Sequence, residues 1–385
     1  MSFDLIIRGG EVVDGSGLPR YRADVGVTDG RITAIGRIRE RAAREIDAEG
    51  HVVTPGFIDG HTHMDAQVMW DPLGTCSSLH GVTTAVMGNC GFTLAPCRDG
   101  ADGRELVVAN IERAEDISAE AMAAGIDWTW SNFDGYLDAV GSRQFAINYA
   151  ANIGHSALRT WAMGAAAFER AATDDELAAM ETELRRALDA GAAGFTTSRS
   201  ASHQTPDDRP VASRAAPWPE VQRLVGVLTD YPGRPFELAL EPLAHDPDPS
   251  VRRESLGRLR DLAIDTAVPV MFGVLPTTSQ RYDELLALID ETTASGGRMY
   301  GQAAPRGVSM FISFETRTPF DRLPTWQVVR ALPRDAQVAE LRKPDVRERL
   351  VAEAHGGTYG AGVGAELKPP NYDNTLVFDR VTPPH

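Results

Sequence analysis

From residue 56 onward, short apolar runs alternate with amphipathic stretches, and this rhythm restricts the fold more than any other property of the sequence. Each pair reads as a strand followed by a helix, and strands joined by helical crossovers must lie parallel, in an open sheet or a closed barrel. The strand-like runs fall at 56–60, 82–87, 145–151, 194–197, 236–240, 268–274 and 298–302. Between them, 174–191 places Leu177, Met180, Leu184 and Leu188 at spacings of three and four, with Gly191 as a C-cap, and 250–267 reads as a second helix. The expected fold is α/β, a (β/α)8 TIM-type barrel of which seven strands are legible and the last is not found. Beyond about residue 303 the sequence turns rich in Pro and Gly, with one clear apolar run at 375–378.

Residues 1–55 have another texture. Val- and Ile-rich segments at 4–7, 11–13, 23–28, 31–35 and 51–53 are punctuated by Gly9-Gly10, Gly15-Ser16-Gly17 and Asp29-Gly30, the pattern of short strands and turns. We therefore expect a small β-unit over 1–55 and the barrel over 56–385.

The 385 residues, 43% of them hydrophobic, suffice for a large core and a small appendage. A formal net charge of −16 argues against nucleic acid or an anionic membrane as partner, since both are bound by clustered Lys and Arg. No long apolar run occurs, and Met1-Ser2-Phe3-Asp4-Leu5-Ile6-Ile7-Arg8 lacks the features of a signal peptide, so a cytoplasmic protein is expected. Three cysteines, Cys76, Cys90 and Cys97, are too few for a disulfide framework and are expected to be reduced.

The sharpest local feature is Pro55-Gly56-Phe57-Ile58-Asp59-Gly60-His61-Thr62-His63, flanked by Asp65. Along a strand, residues i and i+2 point to one side, so His61 and His63 converge at the strand's C-terminal end, where barrel active sites lie. Two neutral imidazoles suit zinc or a similar cation. Gly88-Asn89-Cys90-Gly91 follows the second run in the same way, bringing the Cys90 thiol to the same mouth. Alone, Cys90 would read as a small buried hydrophobe; beside the histidines it reads as a metal ligand. Weaker candidates for contacting substrate are His155 at the third strand's end and His203 in the fourth strand-to-helix loop, with Glu241, Gln302 and Arg306 where later strands end. A carboxylate at Glu241 could instead ligate metal, Arg306 could pair with a substrate carboxylate, and His155 could equally be bonded within the barrel.

Taken together, the 4–14 opening, the 55–63 run, Gly81-Val82-Thr83-Thr84 and 88–91 resemble the amidohydrolase superfamily, and within it the N-acyl-D-amino-acid deacylase (D-aminoacylase-like) group. The similarity is dense over 4–97 and thinner through 154–159, Met163-Gly164 and 191–198. It implies that His61, His63 and Cys90 hold one or two divalent ions, zinc foremost, and that a metal-activated water cleaves a linear amide of the N-acyl amino acid kind. It also implies that 1–55 is the N-terminal part of a β-sandwich built from both chain ends. Small-molecule amides would be the partners, and assembly into a homo-oligomer is left open.

The departures are as informative. The family carries metal-binding histidines after its fifth and sixth strands, where this chain has Phe236-Glu237-Leu238-Ala239-Leu240-Glu241 and Val270-Met271-Phe272-Gly273. The catalytic aspartate after the eighth strand is not found, so no catalytic residue is assigned. The expectation is a piece of a longer polypeptide, because a barrel lacking one strand leaves edges unpaired. The rivals are a cyclic-amide hydrolase of the hydantoinase or dihydroorotase sort, disfavoured because 194–200 has no lysine, and a non-catalytic barrel whose metal site has decayed.

Overall fold

In the computed structural model, which describes residues 3–274, 279–304, 312–359 and 369–377, the chain forms two compact units. One holds the chain up to Asp59 together with Thr75–Thr84; the other holds Gly60–Gly74 and the chain from Ala85 on.

The first unit is built on β1 (Phe3–Val12), β2 (Tyr21–Thr28), β3 (Arg31–Gly36), β4 (Ala42–Asp47) and the short β5 (Val52–Val53). The described residues of this unit form one five-stranded sheet in the order β3-β2-β1-β4, with β5 also on β1. Gly9-Gly10, which reads as a break between two strands, does not end β1. Gly9 takes φ 65 and the β1–β2 register shifts between Ile7 and Gly10, so the chain bulges and continues as one ten-residue strand. That long strand pairs antiparallel with β2 along one edge. Its other edge takes β4 on the first half and β5 on the second, both parallel. Val12, Ala23 and Val25 form the buried cluster of this sheet. β4 was not expected, because half of its residues are charged and five of its six are exposed. A further strand, β6 (Phe57–Asp59), follows, with Phe57 N–H donating to Gly81 O at 3.1 Å.

In the second unit the βα rhythm appears as read. β7 (Val82–Met87) runs into this unit, and Asn152 N–H donates to Met87 O at 2.9 Å, joining it to β8 (Asn148–Ala151). After Asn152 the chain resumes as β9 (Ile153–Gly154), which pairs with β10 (Phe195–Ser198). β11 (Phe236–Ala239), β12 (Val270–Gly273) and β13 (Met299–Gln302) follow, and the sheet order β13-β12-β11-β10-β9 is parallel throughout. Helices Asp174–Ala190, Trp218–Val227, Pro249–Thr266 and Ser279–Ala294 make the crossovers. Phe195, Phe236 and Phe272 from adjacent strands are fully buried, each contributing about 1.5–3 kcal/mol of transfer free energy.

The Asp174–Ala190 helix shows how local sequence sets its ends. Thr173 and Glu176 form a reciprocal capping box, and Gly191 closes the helix at φ 114, a conformation costly for other residues. Leu177, Met180, Leu184 and Leu188 are buried, as their spacing predicts.

Beyond residue 303 the described residues include the helices Pro324–Arg330, Arg334–Leu341 and Pro344–Gly356, around Leu323, Trp326, Val329, Val346 and Leu350. The prolines there mislead, since Pro324 and Pro344 occupy first-turn positions where no N–H is required. Of the apolar run at 375–378, residues 375–377 lie in neither helix nor strand, with Leu376 and Val377 exposed, and Phe378 lies outside the described residues. Among the described residues no helix is long and apolar enough to cross a membrane.

Candidate metal centre

His61 and His63 are placed by the residue between them. Thr62 N–H and its hydroxyl both donate to Val86 O, at 3.0 and 2.9 Å, so Thr62 faces β7 and the alternation of an extended chain turns both imidazoles the other way. Their ring centroids lie 5.2 Å apart, nearly perpendicular.

Cys90 is delivered by a turn of left-handed residues after β7: Gly88 at φ 80, Cys90 at φ 54 and Gly91 at φ 78. A Cβ on Gly88 would lie 2.3 Å from Asn152 O, so no larger residue fits without moving backbone. The turn's N–H groups are claimed by side chains: Gly88 by Asp65 (2.9 Å), Cys90 by Glu237 (2.7 Å) and Gly91 by Thr196 (3.0 Å). Cys90 Sγ then sits 3.4 Å from His61 Nε2, and the ligand atoms of His61, His63 and Cys90 all lie within 4.8 Å of one another.

Carboxyl groups crowd this trio. Glu237, buried in the middle of β11, places Oε1 3.7 Å from His61 Nδ1 and 3.9 Å from Cys90 Sγ. Burial outweighs its hydrogen bonds from Cys90 and pushes its pKa up to about 8, and burial likewise raises Asp65 to about 7. Glu115 meets His63 Nε2 at 3.3 Å and is raised well above the usual carboxylate range by burial and by the charges of Asp65, Asp116 and Glu237. Burial, then Glu237 and Glu115, push the Cys90 thiol up in turn. His63 is held neutral by burial, then by His61 and His203, and its buried Nδ1 has no hydrogen-bond partner among the described residues. A cation here would favour every one of these donors in its binding form.

The other candidate residues separate. His203 lies beside the trio: its ring packs edge-on against Phe92 at 5.0 Å, Phe92 packs on His63 at 6.2 Å, and Ser198 Oγ contacts Nδ1 at 2.7 Å. Burial, then Arg214 and His61, lower its pKa to about 4, so it is neutral at pH 7. Gln302, at the end of β13, contacts His61 Nδ1 through Oε1 at 2.8 Å. His155 is fully buried, with Nδ1 on Thr197 Oγ1 (2.9 Å) and Nε2 on Glu220 Oε1 (3.1 Å); both nitrogens are spent within the fold, leaving none for substrate. Glu241 turns to Ser255 (2.7 Å) and Arg199 (3.5 Å), beside Trp218 and Arg258, and is not brought to the histidines as a ligand. Arg306 lies outside the described residues.

Two site residues escaped the sequence reading. Glu237 left a usable signal, a carboxyl inside an otherwise apolar parallel strand, where a charge must have partners. Glu115 left none, since it follows the Ala101–Ile111 helix in a polar stretch and meets His63 only through tertiary packing.

Residues 44–225 match the amidohydrolase family. D-aminoacylase of Alcaligenes xylosoxydans xylosoxydans is 41% identical over 196 residues, 51% of this chain and 37% of that protein. Among solved structures, a D-aminoacylase with a binuclear metal centre superposes with a TM-score of 0.63 and 31% identity, covering 79% of this chain and 59% of the other. The N-acyl-D-glutamate deacylase of Bordetella bronchiseptica, complexed with zinc and a phosphonate inhibitor, gives 0.60 and 28%, covering 80% and 59%. These proteins are of the group that the sequence resembles, and the chain spans less than two thirds of the length of each.

Proposed function

On the premise that residues 44–225 carry the amidohydrolase family's sequence, in company with D-aminoacylase-like relatives, we propose that the protein is a metal-dependent hydrolase of linear amides of the N-acyl amino acid class. The observation that carries this reading is the convergence of His61, His63 and Cys90, two nitrogen donors and one sulfur within 4.8 Å.

The residues fit zinc. Bonds of about 2.0–2.3 Å to N and S set tetrahedral donor spacings of about 3–4 Å, and the 3.4 Å between Cys90 Sγ and His61 Nε2 falls in that range. The orphaned, buried Nδ1 of His63 is a second indication, because a buried imidazole nitrogen without a partner costs free energy that a ligand would recover. His61, His63 and Cys90 would hold the ion, with Glu237 beside them. When bound, such an ion supplies Lewis acidity, polarising a carbonyl and letting water ionise near pH 7.

The remaining work falls to the chain itself. Glu237 fixes the Cys90 loop through the Cys90 N–H, and Glu115 orients His63 from its far nitrogen. Phe92 packs between His63 and the neutral His203, and His203 would hydrogen-bond the substrate amide. We further propose that β6 to β13 are strands of a (β/α) barrel, whose C-terminal strand ends carry the centre.

The test measures zinc binding to chelator-stripped protein, and hydrolysis of N-acyl-D-amino acids against cyclic imides. Expected are one or two zinc ions bound, binding abolished in His61→Ala, and turnover of the linear amides. Zinc uptake unchanged by His61→Ala would overturn the assignment.

A further inference from the structure

Gln302 spends both ends of its amide next to His61. Its Nε2 donates to Gly60 O at 3.2 Å, and its Oε1 lies 2.8 Å from His61 Nδ1. The two ends cannot be exchanged, because a peptide carbonyl only accepts, and a flipped amide would set two oxygens against each other at Gly60. The carbonyl end is thereby committed to His61, where only an N–H on Nδ1 satisfies it. Glu237 Oε1, 3.7 Å from the same nitrogen, lies beyond hydrogen-bond reach and leaves Gln302 as the partner that sets the proton there. A neutral imidazole carries one ring proton. With that proton on Nδ1, the lone pair is on Nε2, the atom that faces Cys90 Sγ at 3.4 Å.

We propose that Gln302 is a positioning residue that locks His61 in its Nδ1–H tautomer, presetting Nε2 as the donor to a cation shared with Cys90 and His63. The cation half of this statement rests on the metal-centre reading; the tautomer half does not. Gln302 thus acts on the site through His61 instead of meeting substrate. Its bond to Gly60, the residue before His61, also limits how far the ring can turn.

Long-range 1H–15N correlation of ring nitrogens in metal-free, 15N-histidine protein, at a pH where imidazole is neutral, reads the tautomer directly. The expected spectrum shows His61 protonated on Nδ1. Gln302→Leu should release the ring into a mixture of tautomers and weaken zinc binding about 10- to 100-fold. Gln302→Glu, which keeps an acceptor toward Nδ1, should retain the wild-type tautomer. Wild-type His61 protonated on Nε2 overturns the proposal whatever the variants do, as does a Gln302→Leu protein with unchanged tautomer and zinc affinity. If the tautomer is as stated but zinc does not bind, the metal-centre reading fails and the role of Gln302 in fixing the ring stands.

Discussion

Replacing Glu220 by Gln should unfold this protein far more readily than its near-identical shape suggests. Glu220 receives three donors where almost no water reaches: the Arg159 guanidinium, His155 Nε2 at 3.1 Å and the Ala172 N–H at 3.3 Å. Arg159 is itself 0% exposed. Burial alone would raise the Glu220 pKa, yet hydrogen bonds and charge from His155 and Arg159 bring it down to about 2. Falling from 4.5 to about 2 corresponds to roughly 3 kcal/mol of preference for the ionised form. Independently, stripping a buried ion of its partner costs about 3–5 kcal/mol. Gln keeps the volume but leaves Arg159 charged and uncompensated, so both routes give a loss of about 3–5 kcal/mol. Urea unfolding followed by circular dichroism at neutral pH measures it, with Glu254→Gln as an exposed control expected to change stability by less than about 0.5 kcal/mol. A Glu220→Gln protein within about 1 kcal/mol of wild type would show that Arg159 does not depend on this carboxylate.

The same residue fixes an acid limb. Because its folded pKa is depressed, its stabilisation is complete above about pH 4.5 and disappears as pH falls through about 2, so unfolding free energy should fall across that window and fall less in Glu220→Gln; parallel curves would refute this. Thr173→Ala removes half of the capping box of the Asp174–Ala190 helix and should cost about 1 kcal/mol by calorimetry, and no change would mean that the cap is idle. Gly88→Ala forces a Cβ to within 2.3 Å of Asn152 O at φ 80; we expect at least about 2 kcal/mol of destabilisation with weakened zinc uptake, and normal values of both would show that the Cys90 turn can relax.

What could be read in the sequence depended on how far apart the interacting residues lie. His61, His63 and Cys90 were legible because strand alternation and a strand end decide their direction, and both are local. The helix at 174–190 was legible for the same reason, with Leu177, Met180, Leu184 and Leu188 declaring its buried face. Glu237 and Glu115 were not, since each matters only through a neighbour far along the chain, Cys90 for one and His63 for the other. β4 was missed because an exposed strand has no need of apolar alternation, and its pairing with β1 is carried by backbone. Gly9-Gly10 shows the converse, where a pair of residues that usually stops a strand instead lets one bulge and continue. His155 was read as a candidate from its position; its partners Thr197 and Glu220 come from other segments, and they make it part of the scaffold.

The burial of Cys90 reaches into how the protein can be handled. Alkylating and oxidising reagents attack thiolates they can reach, and Cys90 is enclosed with its proton firmly held, while Cys97 is buried and raised to about 11. Cys76 alone is exposed among the three. A maleimide fluorophore should therefore mark position 76 in the native protein and spare position 90, giving a single-site optical reporter whose attachment leaves the sulfur beside His61 intact.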